Sequence, residues 1–216
     1  MEYTSINQII EKISSTLNFF DFTFIVSGFT SLSITYYTLS YYIDTGTLEL
    51  NFKNIVFAIF FTYIFGILSF AGGKKIRLFN IKGRFNTVFK QAIICENKIS
   101  GVGGKKIKIN EYDSDTLEQL YTRMWIDLRS NKDGIETVIY LNRSVMMQSI
   151  CEGLFFSSIL LLISSILLCF KTDNGYFCIV TIASVACGYL FKKEAQRSAE
   201  IQIKELVSAY YKFILN

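Results

Sequence analysis

Four long stretches without a formal charge dominate the hydropathy pattern of the chain. They cover residues 22–43, 54–73, 153–170 and 174–191. Each stretch has 18 to 22 residues, and a helix needs about 20 mostly apolar residues to cross the hydrocarbon core of a bilayer. The pattern therefore predicts four transmembrane helices, which short links at 44–53 and 171–173 arrange as two hairpins.

The segments around these stretches complete an all-α membrane protein with a mainly helical cytoplasmic insertion. The predicted parts are an interfacial N-terminal helix (1–17), a first transmembrane hairpin (18–73), a basic cytoplasmic domain (74–149), a second hairpin (150–191) and an amphipathic tail helix (192–216). The apolar stripe of the first segment also fits a simple extension of the first span.

The middle segment shows the pattern of a small helical domain. Apolar spacing predicts one helix around 85–93 and another over 117–128, where Asp115 and Glu118 resemble a capping box. Alternation over residues 98–110, around Gly103 and Gly104, indicates a β-hairpin between these two helices. Residues 131–134 indicate a second turn. From Ile135 a helix is expected to run without a break into the third span.

The tail segment has an apolar stripe that includes Ala199, Leu206, Ala209 and Phe213. This stripe can pack on the middle segment, on the tail of another subunit or on the membrane surface. The polar face mixes acids with cations, which favours packing against protein in a domain or an oligomer.

The distribution of cations sets the expected orientation. Twenty of the 22 Lys and Arg residues lie outside the two short links, and Lys and Arg are retained on the cytoplasmic side. We therefore expect a multi-pass membrane protein with both termini and the middle segment in the cytoplasm.

The composition narrows the chemistry. With 51% hydrophobic residues the chain is unlike disordered proteins, and with no His it lacks a His base, a His metal ligand and a Ser-His-Asp triad. We predict that the chain is not an enzyme, and we assign no catalytic, cofactor-binding or metal-binding residue. The expected partners are the lipid bilayer, further copies of the chain, and a cytoplasmic protein or anionic ligand at the basic domain.

Two local features leave alternatives open. The glycine-rich segment 101–106 fits a hairpin turn, or an anion site at Lys105 and Lys106, although it lacks the spacing of a phosphate loop. Cys169 and Cys178 flank the second link. They are either free thiols within apolar spans or a pair that forms a disulfide in an oxidising compartment.

The first span carries hydroxyl groups along one face and apolar groups along another. Steps of three and four align Thr23, Ser27, Ser31, Thr35 and Thr38. Such a face either packs against other helices or lines a hydrated path. We list these five residues as candidates for a pore lining.

Both predicted hairpins share a layout at their cytoplasmic ends. An acid lies where the first span of each hairpin begins, and a lysine pair follows the hairpin: Asp21 and Glu152 are the acids, and Lys74, Lys75, Lys192 and Lys193 are the lysines. We expect ion pairs at the level of the lipid headgroups. A cation-attracting vestibule in an oligomer is the alternative.

The second hairpin and the charged helix 192–206, followed by Tyr210 and Tyr211, resemble the small transmembrane effectors of bacterial conflict systems, of which the SLATT type is one. The resemblance covers about the last 80 residues, at the level of layout. It implies that the protein lies in the bacterial inner membrane and that a partner enzyme or a signal opens or assembles the membrane part. The four spans and the middle domain depart from a plain two-span effector.

Two hypotheses for function follow from these patterns and from the resemblance, which implies the role in defence. The first is a homo-oligomeric membrane pore or membrane-perturbing effector in bacterial defence, gated through the cytoplasmic domain. The alternative is a non-conducting membrane anchor or receptor that recruits a cytoplasmic partner. A pore needs several subunits with the hydroxyl face inward, whereas an anchor can be a monomer with a dry core.

Overall fold

The computed structural model describes residues 19–43, 52–99, 106–107, 113–172 and 174–215, and it is helical over 95% of these with no strand among them. The helices are α1 (Phe19–Ser40), α2 (Phe52–Ile99), α3 (Ser114–Ser130), α4 (Ile135–Thr172) and α5 (Tyr176–Tyr210). A 3₁₀ turn, Lys132–Gly134, joins α3 to α4, and a π-helical turn, Tyr211–Leu215, follows α5. The expected all-α class and the unbroken helix from Ile135 are confirmed.

Among the residues that the structure describes, three segments are long and apolar enough to cross a membrane: Asn54–Ile76, Lys132–Thr172 and Tyr176–Leu215. The first predicted span forms α1 but is not among them. Eight of its 22 residues are Ser or Thr, which lowers its hydropathy. A fourth span at this position stays a prediction.

The chain divides into two compact units. The first unit comprises residues 1–75 and 149–192, and the second comprises 76–148 and 193–216. The middle segment and the tail therefore belong to one unit, to which α2, α3, α4 and α5 all contribute. The other parts of α2, α4 and α5 form the first unit together with α1.

The second unit has its own apolar core. α2 contributes Phe89 and Ile93, and α3 contributes Met124, all without exposed surface. The two apolar faces predicted around 85–93 and 117–128 are confirmed, because their residues either lie in this core or pack against it. The remaining helices add Leu141 from α4 and Ile203, Leu206, Val207, Ala209 and Tyr210 from α5.

The start of α3 differs from the expected capping box. Asp113, not Asp115, is the N-cap residue, and its carboxylate accepts a hydrogen bond of 2.8 Å from the Thr116 backbone N–H. Asp115 lies exposed in the first turn. Asp113 has the extended backbone that an N-cap requires, and its side chain satisfies an N–H that has no partner within the helix.

Some predictions fall on residues outside the described part of the chain. These are the N-terminal helix (1–17), most of the first link (44–53) and the turn at Gly103 and Gly104. The predicted β-hairpin (98–110) is wrong at Lys98 and Ile99, because the helix α2 continues to Ile99. Its other described residues, Lys106 and Ile107, are in neither a helix nor a strand. The turn predicted at 131–134 is confirmed as the 3₁₀ turn.

Candidate functional site in the first unit

Three serine hydroxyls from three helices meet in the interior of the first unit. The Ser31 oxygen of α1 lies 2.7 Å from that of Ser69 in α2 and 2.8 Å from that of Ser157 in α4. All three side chains are buried, with at most 1% exposed surface. Ser157 also donates to the Gly153 carbonyl at 3.0 Å, so hydrogen bonds within the chain satisfy the cluster. We call Ser31, Ser69 and Ser157 the serine cluster.

Two further hydroxyls of the predicted pore lining share this interior. Thr23 and Ser27 have no exposed surface, and the Ser27 hydroxyl donates to the Thr23 carbonyl at 2.9 Å. Thr35 and Thr38 are half-buried and donate to carbonyls of their own helix. The hydroxyl face of α1 is thus covered by the same chain at Thr23, Ser27 and Ser31, while apolar residues such as Phe29 are exposed.

Glycines bring these helices into backbone contact. A Cβ added at Gly28 would overlap the backbone of Thr62 and Gly66, and one added at Gly66 would overlap the backbone of Phe24. Gly153 packs in the same way against the Ser27 side chain. Because only glycine permits such proximity, α1 packs closely on both α2 and α4.

The order of the contacts along two neighbouring helices shows whether the helices run parallel or antiparallel. Ser27 meets Gly153 and Ser31 meets Ser157, so contacts advance in the same sense along α1 and α4. α4 and α5 run in opposite senses. Their contacts are Ser158 with Gly188, Ser165 with Thr181 and Cys169 with Cys178.

A cavity of about 310 Å³ lies between α1, α4 and α5. Its wall mixes hydroxyl and apolar groups, and it includes Thr38 from the predicted pore lining. The other hydroxyl residues of the wall are Ser33, Tyr37, Ser164, Ser165 and Tyr176. Its volume is large enough for several waters or one small molecule.

The residues of the predicted headgroup ion pairs lie in different environments. Asp21 accepts a hydrogen bond from the Tyr63 hydroxyl at 3.1 Å, and Glu152 is 2% exposed. Lys74 places its ammonium 5.9 Å from the centre of the Phe70 ring. Lys75 and Lys193 are exposed, and Lys192 is half-buried. The ion pairs stay a prediction.

The predicted anion site is described only at Lys106, whose side chain is exposed, because Lys105 lies outside the described residues. The neighbouring Ile107 is held by Asn97, whose side chain donates to the Ile107 carbonyl and accepts from its N–H. Tyr211 donates to the same Asn97 oxygen at 2.8 Å. This network fixes the backbone beside Lys106.

The tail stripe contributes to the core of the second unit. Leu206 has no exposed surface, Ala209 is 6% exposed, and Phe213 packs against the same core. Ala199 is half-buried, beside Glu200, which pairs with Arg84 at 2.6 Å. The stripe is covered by the chain itself, and its role in an oligomer stays a prediction.

Sequence reasoning missed the partners of the hydroxyl face. Small residues recur at steps of four and three along α2, at Thr62, Gly66, Ser69 and Gly73, and all four are buried. Gly153 and Ser157 repeat the spacing on α4. Such spacing is typical of close helix contacts in membranes and would have identified both partner helices.

The chemistry available at this site is neutral hydrogen bonding. In the described part of the chain, no group of three or more His, Cys, Asp or Glu residues is placed to hold a metal ion. The serine cluster joins three helices through hydroxyl groups alone. Comparison of the chain with protein families, with curated proteins and with solved structures gives no match.

Proposed function

We propose that the chain is a four-span protein of the bacterial inner membrane, with both termini and residues 76–148 in the cytoplasm. In the described part of the chain, three helices have the length and composition of spans. Twenty of the 22 cations lie on the proposed cytoplasmic side. The parallel course of α1 and α4 supports α1 as a span, because the first and third spans of such a topology cross in the same direction.

Within this topology the protein serves as a non-conducting membrane anchor that presents its second unit to a cytoplasmic partner. The observation that carries this proposal is the serine cluster. A water-lining face exposes its hydroxyls, whereas Ser31 has no exposed surface and bonds to Ser69 and Ser157 of the same chain. Backbone contact at Gly28 and Gly66 leaves no room for a path between α1 and α2 at that level.

The test combines mass and flux. The anchor proposal expects that the full chain in mild detergent has a protein mass near 24.8 kDa by light scattering, and that liposomes carrying it hold an ion gradient as well as empty liposomes do. A stable oligomer whose liposomes lose the gradient contradicts the anchor. Circular dichroism serves as the control for folding. The folded protein should give a mainly helical spectrum, and a protein that is inserted but misfolded should not.

A homo-oligomeric pore or membrane-perturbing effector in bacterial defence, gated through the second unit, is the second candidate. The cavity favours it, because it lies within the first unit and Ser33, Thr38 and Ser165 place hydroxyl residues in its mainly apolar wall. Conduction would then pass through the cavity rather than through the serine cluster.

Substitution at the cavity separates the two candidates. Thr38→Leu replaces a wall hydroxyl by a larger apolar group, and dewetting of a pore blocks conduction. Ser40→Leu is the matched control, since Ser40 is exposed near the end of α1 and is not part of the described cavity wall. Flux that is lost in Thr38→Leu and kept in Ser40→Leu supports the pore.

A further inference from the structure

Two cysteines face each other across the α4–α5 pair. The sulfur atoms of Cys169 and Cys178 lie 3.3 Å apart, and residues 170–177 contain the link between the two helices. A disulfide has an S–S length of about 2.05 Å, so the sulfurs would need to approach by only about 1.3 Å.

We propose that Cys169 and Cys178 are an oxidisable dithiol that closes into an intramolecular disulfide. The inference rests on the proposed topology, because that topology places the α4–α5 link on the external side, where thiol oxidants act. The other three cysteines differ: Cys95 lies in the second unit, Cys151 is buried, and Cys187 lies nine residues beyond Cys178 along α5.

Exposure sets the order of the two steps. Cys178 is exposed and Cys169 is half-buried, so the Cys178 thiolate first attacks the disulfide of an envelope thiol oxidase or of oxidised glutathione. This forms a mixed disulfide and releases one thiol of the oxidant. The Cys169 thiolate then attacks the Cys178 sulfur and releases the second thiol, so two electrons pass to the oxidant and its two sulfurs take up the two protons.

The disulfide would link two helices that form the wall of the cavity. Leu168 and Phe177, the neighbours of the two cysteines, both belong to the cavity wall. A covalent link between α4 and α5 at this point would hold two sides of the wall together. The thiol state would then control how far the cavity can widen.

The first experiment uses the purified full chain in detergent, incubated with oxidised glutathione, alkylated and digested with trypsin. Cleavage after Lys171, the one basic residue between the cysteines, separates them. We expect peptides 144–171 and 172–192 to appear mainly as one linked species under non-reducing conditions. The linked species should vanish in Cys169→Ser and in Cys178→Ser, and persist in the controls Cys151→Ser and Cys187→Ser.

The second experiment quenches intact cells with acid before alkylation, so that the thiol state in the membrane is preserved. We expect the same linked species from these cells. Alkylation of both thiols, in either experiment, overturns the proposal, as does a linked species that survives Cys169→Ser. Neither assay measures conduction or partner binding, so failure here is distinct from failure of the proposed function.

Discussion

The hydroxyl oxygens of Ser31 and Ser157 lie 2.8 Å apart, although the two residues are 126 positions apart in sequence. Their contact joins α1 to α4. Ser31 simultaneously contacts Ser69, so a single side chain holds three helices in one position. Because an unpaired hydroxyl in an apolar interior is unfavourable, this arrangement also disfavours packings that separate the three serines.

Removing this hydroxyl should loosen the first unit. Ser31→Ala loses two hydrogen bonds between helices, each worth about 0.6 kcal/mol on average in a membrane protein. We expect a destabilisation of about 1 kcal/mol, measured by thermal unfolding in mild detergent. Thr30→Ala is the control, since the Thr30 hydroxyl bonds only to the Val26 carbonyl of its own helix among the described contacts. An equal effect of both variants contradicts a role of the cluster in joining helices.

A methyl group at the α1–α2 contact should be more disruptive than loss of a hydroxyl. In Gly66→Ala the new Cβ overlaps the Phe24 backbone, and overpacking typically destabilises by about 1–3 kcal/mol. The same change at Gly175, where a Cβ would meet nothing within 4 Å, should leave the unfolding temperature nearly unchanged. The two melting curves in detergent test this contrast, and a tolerated Gly66→Ala would show that α1 and α2 are not in close contact.

The tail stripe should stabilise the second unit. Leu206 has no exposed surface, and truncation of a buried Leu to Ala usually lowers the free energy of unfolding by about 2–5 kcal/mol. Ile201→Ala, on the same helix and at 37% exposure, should have a much smaller effect. Denaturant unfolding followed by the fluorescence of Trp125, which packs against this core, measures both. If Leu206→Ala is as mild as Ile201→Ala, the tail does not pack as described.

The cap of α3 should make stability depend on acid pH. Hydrogen bonds from the Thr116 side chain and backbone N–H lower the pKa of Asp113 from its ordinary value of 3.8. The folded state therefore gains stability from this carboxylate above pH 3.8 and loses it as the pH falls through the lower pKa of the folded form.

Asparagine at this position separates the cap from its charge. Asp113→Asn keeps an oxygen acceptor but does not titrate, so the variant should lose less stability than the wild type below pH 3.8. Asp115→Asn serves as the control, because Asp115 is exposed and does not cap the helix. Circular dichroism melts at neutral and acidic pH give the comparison. Identical pH profiles for wild type and Asp113→Asn would be the contrary result.

The proposed orientation can be tested at Lys106, which is exposed in the second unit. In a background with Ser at all five native cysteines, Lys106→Cys should resist an impermeant maleimide in intact cells and react once the cells are permeabilised. Gly175→Cys, between the end of α4 at Thr172 and the start of α5 at Tyr176, should react in intact cells. The reverse pattern places residues 76–148 outside the cell.

The sequence by itself determined the helical class and the apolar faces that become buried. Periodicity alone identified the faces around Phe89 and Met124 and the continuity of α4 from Ile135, because apolar residues on one side of a helix must be covered by protein or lipid. The absence of His likewise excluded a His base, a His metal ligand and a Ser-His-Asp triad from this sequence, since no fold can supply a missing functional group.

The tertiary structure decided which neighbour covers each face. The stripe of hydroxyls on α1 fits a pore lining and a packing face equally well as a pattern, and only the positions of Ser69 and Ser157 show that Ser31 is covered by its own chain. The same holds for Asp113 and Asp115, which lie two residues apart and differ in backbone geometry, and for the facing thiols of Cys169 and Cys178. Spacing along one helix fixes which side chains share a face, but the partner depends on how distant segments pack.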